Sequence, residues 1–239
     1  MNNEIIENIN GGNSGIEEEE LSEGESSGPV PDTADTFEAD SLSRRIPAGV
    51  KQRMPIYYRY LRTLVANDLM RVSSKGLARM LGVTPSLLRQ DLCHFGGFGQ
   101  QGYGYNVKQL YSAIGEVLGI NDEFSAVIVG TGQLADAVSY MPMFTRHGVR
   151  LAERFRSVEM FREYCDSRNE EKPAADIAVL VLEEPYNAAR MAETAGFKAV
   201  VNYSDKDLEE RLFPSLRISN VSLADPVMAV CCSLKHERE

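Results

Sequence analysis

Ser125-Ala126-Val127-Ile128-Val129 passes without a spacer into Gly130-Thr131-Gly132-Gln133-Leu134-Ala135, and a helical run continues to Tyr140. A small, apolar run with no polar alternation predicts a strand buried on both faces, and so a parallel sheet covered by helices. The turn has the form G-x-G-x-x-A in the strand-to-helix context that gives this short motif its meaning. Gly130 would make the turn and Gly132 would let a pyrophosphate approach the backbone. Ala135 stands at the usual third glycine, still small enough for helix and strand to pack. Strand-like runs recur at Val149 to Phe155, Asp176 to Leu182 and Ala199 to Asn202, with helical stretches such as Pro185 to Ala195 between them. The expectation is a small Rossmann-like parallel α/β domain over residues 121–222, followed by a C-terminal helix and tail over 223–239.

Gly130, Thr131, Gly132, Gln133, Leu134 and Ala135 are therefore candidate dinucleotide contacts. Such a site also needs an acid near the end of the second strand to hold the ribose hydroxyls. That strand ends Glu153-Arg154-Phe155-Arg156, with Glu153 inside it and Arg156 at its end. Arginine there suits a 2'-phosphate or, equally, no adenosine ribose at all. The glycines suggest NAD(H), and Arg156 speaks against it.

Upstream the pattern changes. Ile56, Tyr60 and Leu64, flanked by Tyr57 and Leu61, predict a first helix, with Pro55 in an early turn or at a kink. Ser73 or Ser74 can cap a second helix whose face is Leu77, Ala78 and Leu81, and Gly82 suits a left-handed stop. Thr84 caps a third, with Pro85 at its first position and Leu88, Leu92 and Phe95 as its buried stripe. Two short helices joined by this glycine-containing turn make a helix-turn-helix. Ser86, Arg89, Gln90 and Cys93 face away from the stripe; arginine can read guanine, glutamine can read adenine, and Ser86 can meet phosphate. Phe95 to Asn106 contains five glycines, enough for a tight hairpin lying close to a ligand, as in the wing of a winged helix. The candidate DNA contacts are Ser73, Ser74, Lys75, Ser86, Arg89 and Gln90, within a helix-turn-helix region from about Pro55 to His94, together with Gln101 and Tyr103. A core three-helix module with a glycine-rich loop is the plainer alternative. Val107, Leu110, Ile114, Val117 and Leu118 then form an amphipathic linker helix.

The net charge of -10 argues against a nucleic-acid partner only when averaged over the 239 residues. Residues 1–43 hold 12 acids and no Lys or Arg, residues 44–120 hold 3 acids and 11 bases, and residues 121–239 hold 20 acids and 14 bases. The helix-turn-helix segment is the cationic part, which points to DNA as its partner. The first 43 residues, rich in Glu, Ser, Gly and Asn, bury too little apolar surface to offset ordering and are expected to be a disordered acidic tail. The tail is either a solvating appendage or a competitor for the basic surface beside it. The domains expected are thus 1–43, 44–120, 121–222 and 223–239.

No apolar run approaches the ~20 residues of a membrane span, and the polar, acidic start is unlike a signal peptide, so the expectation is a cytoplasmic protein without a membrane partner. Cys93, Cys165, Cys231 and Cys232 show neither metal-ligand spacing nor a secreted disulfide framework. An NAD(P)-dependent oxidoreductase is the competing class. Its nearest acid-base candidates, His94 and His147, have no partner motif, no substrate domain is evident, and no catalytic residue is assigned. A purely architectural scaffold is a third class.

Arg59-Tyr60-Leu61-Arg62, the run Ser73 to Val83, the run Leu87 to Val107 and Val129 to Ala137 together resemble the Rex family of bacterial redox-sensing transcriptional repressors. The resemblance runs from about Ile46 to Leu223. It is densest at Arg89, Asp91, Leu92, Phe95, Gly96, Phe98, Gly99, Gly102, Gly104, Tyr105 and Asn106. It implies a homodimer whose winged helices bind a palindromic operator and whose Rossmann domains bind NADH/NAD+, NADH favouring release of DNA. It also implies a C-terminal helix, Leu223 to Leu234, exchanged between protomers, and an interdomain switch at Arg59, Tyr140 and an acid. The acid's position carries Ser222, and Asp225, one turn on, can substitute. Gln90, Gln100 and Gln101 stand where the family is basic, which implies weaker binding or an altered operator. Arg156 stands at the family's ribose-binding acid. These departures imply a protein of this kind with changed ligand sensing, or a paralogue that has lost it.

Overall fold

The computed structural model describes residues 46–95, 99–100, 104–141, 144, 148–169 and 171–236. They divide into two compact units between Leu118 and Gly119. The expected tail over 1–43 lies outside the described residues.

In the first unit α1 (Ala48–Ala66) buries Met54, Tyr57, Leu61 and Leu64. Pro55 is not in an early turn: it occupies the eighth position of α1, inside the helix. Its missing N–H costs the helix one bond there. α2 (Ser74–Leu81) starts at the Ser73 cap, whose Oγ accepts from Gly76 N at 3.0 Å, and stops at Gly82 with φ 67°. α3 (Pro85–Leu92) starts at Thr84, whose Oγ1 accepts from Leu87 N at 3.2 Å, and runs into a single 3-10 turn, Cys93–Phe95. The glycine-rich stretch forms β2 (Gly99–Gln100) and β3 (Gly104–Asn106), antiparallel to each other, with β1 (Arg71–Val72) on the other side of β3. Gly104 is required at this seam, since a Cβ there would sit 2.5 Å from the Val72 carbonyl oxygen. α4 (Val107–Val117) packs on α1 through stacked Tyr58 and Tyr111 rings, 4.5 Å between centroids. The unit is a winged helix.

The second unit is a five-stranded parallel sheet in the order β5 (Val149–Phe155), β4 (Phe124–Gly130), β6 (Ile177–Val181), β7 (Ala199–Asn202), β8 (Arg217–Asn220). The first strand in sequence therefore lies inside, flanked by the second and third, and the direction of winding reverses between β4 and β6. α5 (Gly132–Ser139) covers one face, its Val138 packing with Ile128 and Val179. α6 (Val158–Asp166) and α7 (Tyr186–Thr194) cover the other, where Phe161, Ala188, Ala189 and Ala192 meet Val127, Val129 and Leu180. Asp176, just before β6, gathers the amino ends of three strands: it accepts from Ser125 N at 2.8 Å and from Lys198 Nζ at 2.6 Å. β8 was not expected from the sequence. It is held by Asn202, which donates to Asn220 Oδ1 at 2.9 Å and to the Lys206 carbonyl, and by Asn220, whose side chain bonds the backbone N–H and carbonyl of Leu208. α8 (Asp225–His236) begins two residues after the expected Leu223, with Pro226 at its second position.

Candidate functional site

Two surfaces collect the candidate residues, one in each unit. Ser86, Arg89 and Gln90 on α3 and its C-cap Cys93 are all exposed, at the spacing i, i+3, i+4, i+7 that puts them on one face. Arg89 Nη2 donates to Ser86 Oγ at 3.3 Å, and Cys93 Sγ to the Gln90 carbonyl at 2.8 Å. Leu88, Leu92 and Phe95 fill the opposite, buried face. Ser73 is spent as the α2 cap, Ser74 is half-buried, and Lys75 is exposed. Gln101 and Tyr103 lie outside the described residues.

Asp91, which has no assigned role in the sequence, fixes how this face is presented. Its side chain is almost fully buried within α3 and accepts Arg53 Nε and Nη2, each at 2.7 Å, and Tyr57 Oη at 2.7 Å. Burial alone pushes its carboxyl up, but the Arg53 and Tyr57 hydrogen bonds outweigh burial and hold it below the ordinary carboxylate range. Burial, then the bond to Asp91, pushes the Tyr57 hydroxyl up to about 12. The clamp pins α3 to α1 by three charge-assisted bonds across 34 to 38 residues of sequence. Asp91 lies three positions after Leu88, beside the apolar stripe. An acid placed there requires a partner, and this was the available signal.

In the second unit the glycine turn performs two separate tasks. Gly130, φ 146°, closes β4 so tightly on β6 that a Cβ would sit 2.1 Å from the Val181 carbonyl oxygen. Gly132, φ 85°, opens α5 and has nothing within 4 Å of where its Cβ would be. Thr131, the α5 cap residue, makes no side-chain capping bond. The start of α5 thus has no side-chain acceptor from its cap and no atom crowding the Cβ side of Gly132, which suits a pyrophosphate contact. Ala135 is fully buried, so its small side chain serves helix packing, while Gln133 is exposed and Leu134 half-buried. Leu134 also lines a cleft of about 480 Å³ at the carboxyl ends of β6 and β7, with Val181, Glu183, Tyr203 and Asp205. Ligands of parallel sheets bind at this end, beside the reversal in strand order. The glycines, the uncapped helix start and the cleft fit a dinucleotide.

Arg156 follows β5 directly and is exposed. Arg154, two residues earlier and not singled out from the sequence, bonds Asp136 of α5 at 2.5 Å, and its Nε is buried without a partner among the described residues. Of the three residues of the implied switch, Arg59 is exposed on α1 in the first unit. Tyr140 is the C-cap of α5 and is 84% exposed, and Asp225 is exposed at the start of α8. His94 is half-buried in the 3-10 turn after α3, and His147 lies outside the described residues. Burial pushes the Cys165 thiol up to about 12, which leaves it unreactive.

Residues 45–93 match the family described as "Putative DNA-binding protein N-terminus". The chain is 35% identical over 215 residues to the redox-sensing transcriptional repressor Rex of Thermoanaerobacter pseudethanolicus, an alignment that spans 82% of this chain and 93% of the relative. It is 36% identical over 208 residues to the redox-sensing transcriptional repressor Rex of Clostridioides difficile, spanning 81% and 97%. Among solved structures it is similar to RSP in complex with β-NAD+ and operator DNA, with a TM-score of 0.68, 32% identity and coverage of 81% and 94%. It is likewise similar to RSP in complex with β-NADH, with a TM-score of 0.68, 28% identity and coverage of 81% and 96%.

Proposed function

Because the chain belongs to the Rex family of redox-sensing transcriptional repressors, we propose that it binds operator DNA through the exposed face of α3 and the β2–β3 wing, and that NAD(H) held at the Gly130–Ala135 turn controls that binding. The observation that carries this reading is the clamped α3: a polar face of Ser86, Arg89 and Gln90 is held out by a buried Asp91–Arg53–Tyr57 network, an arrangement suited to reading a groove. The second unit supplies what a sensor needs, a glycine turn with open backbone beside a cleft at the winding reversal. Its part is to bias two arrangements of the protein, which a ligand does only by binding one of them better. Arg59, Tyr140 and Asp225 are the residues proposed to report the ligand state between units.

The protein acts as a homodimer. α8 exposes Val227, Met228, Val230 and Leu234 by 48 to 62%, an apolar surface that a lone protomer would leave in water. A dimer matches a palindromic site, with two α3 helices entering successive major grooves. The function is regulatory rather than catalytic, and the setting is the cytoplasm; among the described residues no helix is long and apolar enough to cross a membrane.

Fluorescence anisotropy on a palindromic fragment, chosen by selection with the purified protein, tests the reading. NADH should weaken binding relative to NAD+. Arg89→Ala should lower affinity about 10- to 100-fold, the ~1–3 kcal/mol of a bidentate base contact. DNA affinity unchanged across a wide NADH range would remove the sensing half, and Arg89→Ala without effect would remove α3 as the reading helix.

A further inference from the structure

Parallel pairing sets Phe155 of β5 beside Val129 of β4. The chain therefore leaves β5 level with Gly130, one strand away from the glycine turn, and the first residue out is Arg156. At this point in a dinucleotide site the ribose of the adenosine half is met. An acid accepts from both ribose hydroxyls and repels a phosphate on the 2' oxygen; an arginine does the reverse, matching phosphate with a planar fork of donors.

Among the described residues, three acids on β5, α5 and α6 bear on this strand end. Glu153 pairs with Val127, so it lies two residues short of the strand end and on the alternate side from Arg154, which pairs with Ile128. Glu153 therefore cannot stand in for the missing acid. Asp136, on α5, is neutralised by Arg154 at 2.5 Å. Glu159, in the first turn of α6, is turned onto the start of its own helix, where backbone and Ser157 hydrogen bonds favour its charged form. Arg156 itself is exposed and has neither a hydrogen bond nor an ion pair among the described residues. Next to it Ser157 caps α6, its Oγ accepting from Met160 N at 3.2 Å, so the start of a nine-residue helix adds a favourable field for an anion at the same place.

We infer that the adenosine end of this site accepts a 2'-phosphate, so that the protein binds NADP(H) more tightly than NAD(H), with Arg156 as the residue that sets the preference. This inference rests on the reading that a nicotinamide dinucleotide occupies the Gly130–Ala135 turn. A repressor with this preference reports the reduction state of the NADP pool as well as that of NAD.

Isothermal titration of the full-length protein with NADH, NADPH, ADP and 2',5'-ADP tests it. NADPH should bind at least tenfold more tightly than NADH, and 2',5'-ADP more tightly than ADP. The NADPH affinity should also fall more steeply with salt than that of NADH. Arg156→Asp should reverse the preference and Arg156→Lys should largely keep it, each with the circular dichroism of the parent. NADH binding as tightly as NADPH, or a preference unmoved by Arg156→Asp, would overturn the inference and leave the dinucleotide reading intact. Binding of none of the four would overturn both.

Discussion

Asp91 is 1% exposed and ionised in the last turn of a helix that must also face outward. Its charge is tolerable only because Arg53 and Tyr57 supply three donors, and removing it would strand a guanidinium and a hydroxyl. Arg53 is partly exposed, so Asp91→Ala should destabilise the first unit by about 1–3 kcal/mol, the cost of leaving buried hydrogen-bond partners unsatisfied, read as a lower urea midpoint. The pH dependence has a definite sign. The folded-state carboxyl is held below its unfolded value, so the unfolded chain binds the proton first on acidification. The contribution is present above about pH 4, the ordinary Asp value, and is lost as pH falls through the depressed folded value. The difference between parent and Asp91→Ala should accordingly be full at pH 7 and shrink toward pH 3; a constant difference would mean the pair contributes packing alone. The two turn glycines should separate in the same kind of measurement. Gly130→Ala collides with the Val181 carbonyl and should unfold the second unit. Gly132→Ala meets open space and strains only a left-handed φ, at about 1 kcal/mol. It should leave the unit folded while weakening dinucleotide binding.

Elements whose signals are local were legible in the sequence. Ser73, Thr84 and Gly82 start and stop α2 and α3 as their side chains or backbone dictate, because a cap is decided within four residues. β4 and its turn were legible for the same reason. β8 was not: Arg217-Ile218-Ser219-Asn220 is short, mostly exposed and polar, an edge strand kept in place by an Asn202–Asn220 bond that no periodicity reveals. Asp91 beside the apolar stripe signalled that a partner was needed, but that partner could not be read as Arg53, which lies 38 residues away. α1 carried an ambiguous signal, for Pro55 reads as an early turn or a kink and sits inside the helix, where burial of Met54, Tyr57 and Leu61 outweighs one lost bond. α8 is the element with the most to gain from a second copy. Val230→Asp should shift the protein toward monomer in sedimentation velocity and, by uncoupling the two half-sites, lower operator affinity with little loss of far-ultraviolet helix signal. A dimer that survives Val230→Asp would place the interface elsewhere.

At the scale of the molecule, charge is segregated along the chain: 12 acids and no Lys or Arg in residues 1–43, then 11 bases against 3 acids in residues 44–120. DNA and the acidic segment are thus both polyanions available to one basic surface, and the segment is tethered to it. Tethering raises its effective concentration, commonly to the millimolar range for a short flexible link, so even a weak contact would compete. The sign of the effect follows. Removing residues 1–43 should tighten DNA binding, and the gain should be largest at ~0.01 M salt, where the Debye length is about 30 Å, and fade near ~0.15 M, where it is about 8 Å. Glutamines at positions 90, 100 and 101, where the resembled family is basic, should make DNA binding more sensitive to such a competitor. Anisotropy titrations of full-length and truncated protein across that salt range measure the ratio directly. A ratio of one at low salt would make the acidic segment a solvating appendage, and a ratio above one that ignores salt would point to excluded volume rather than charge.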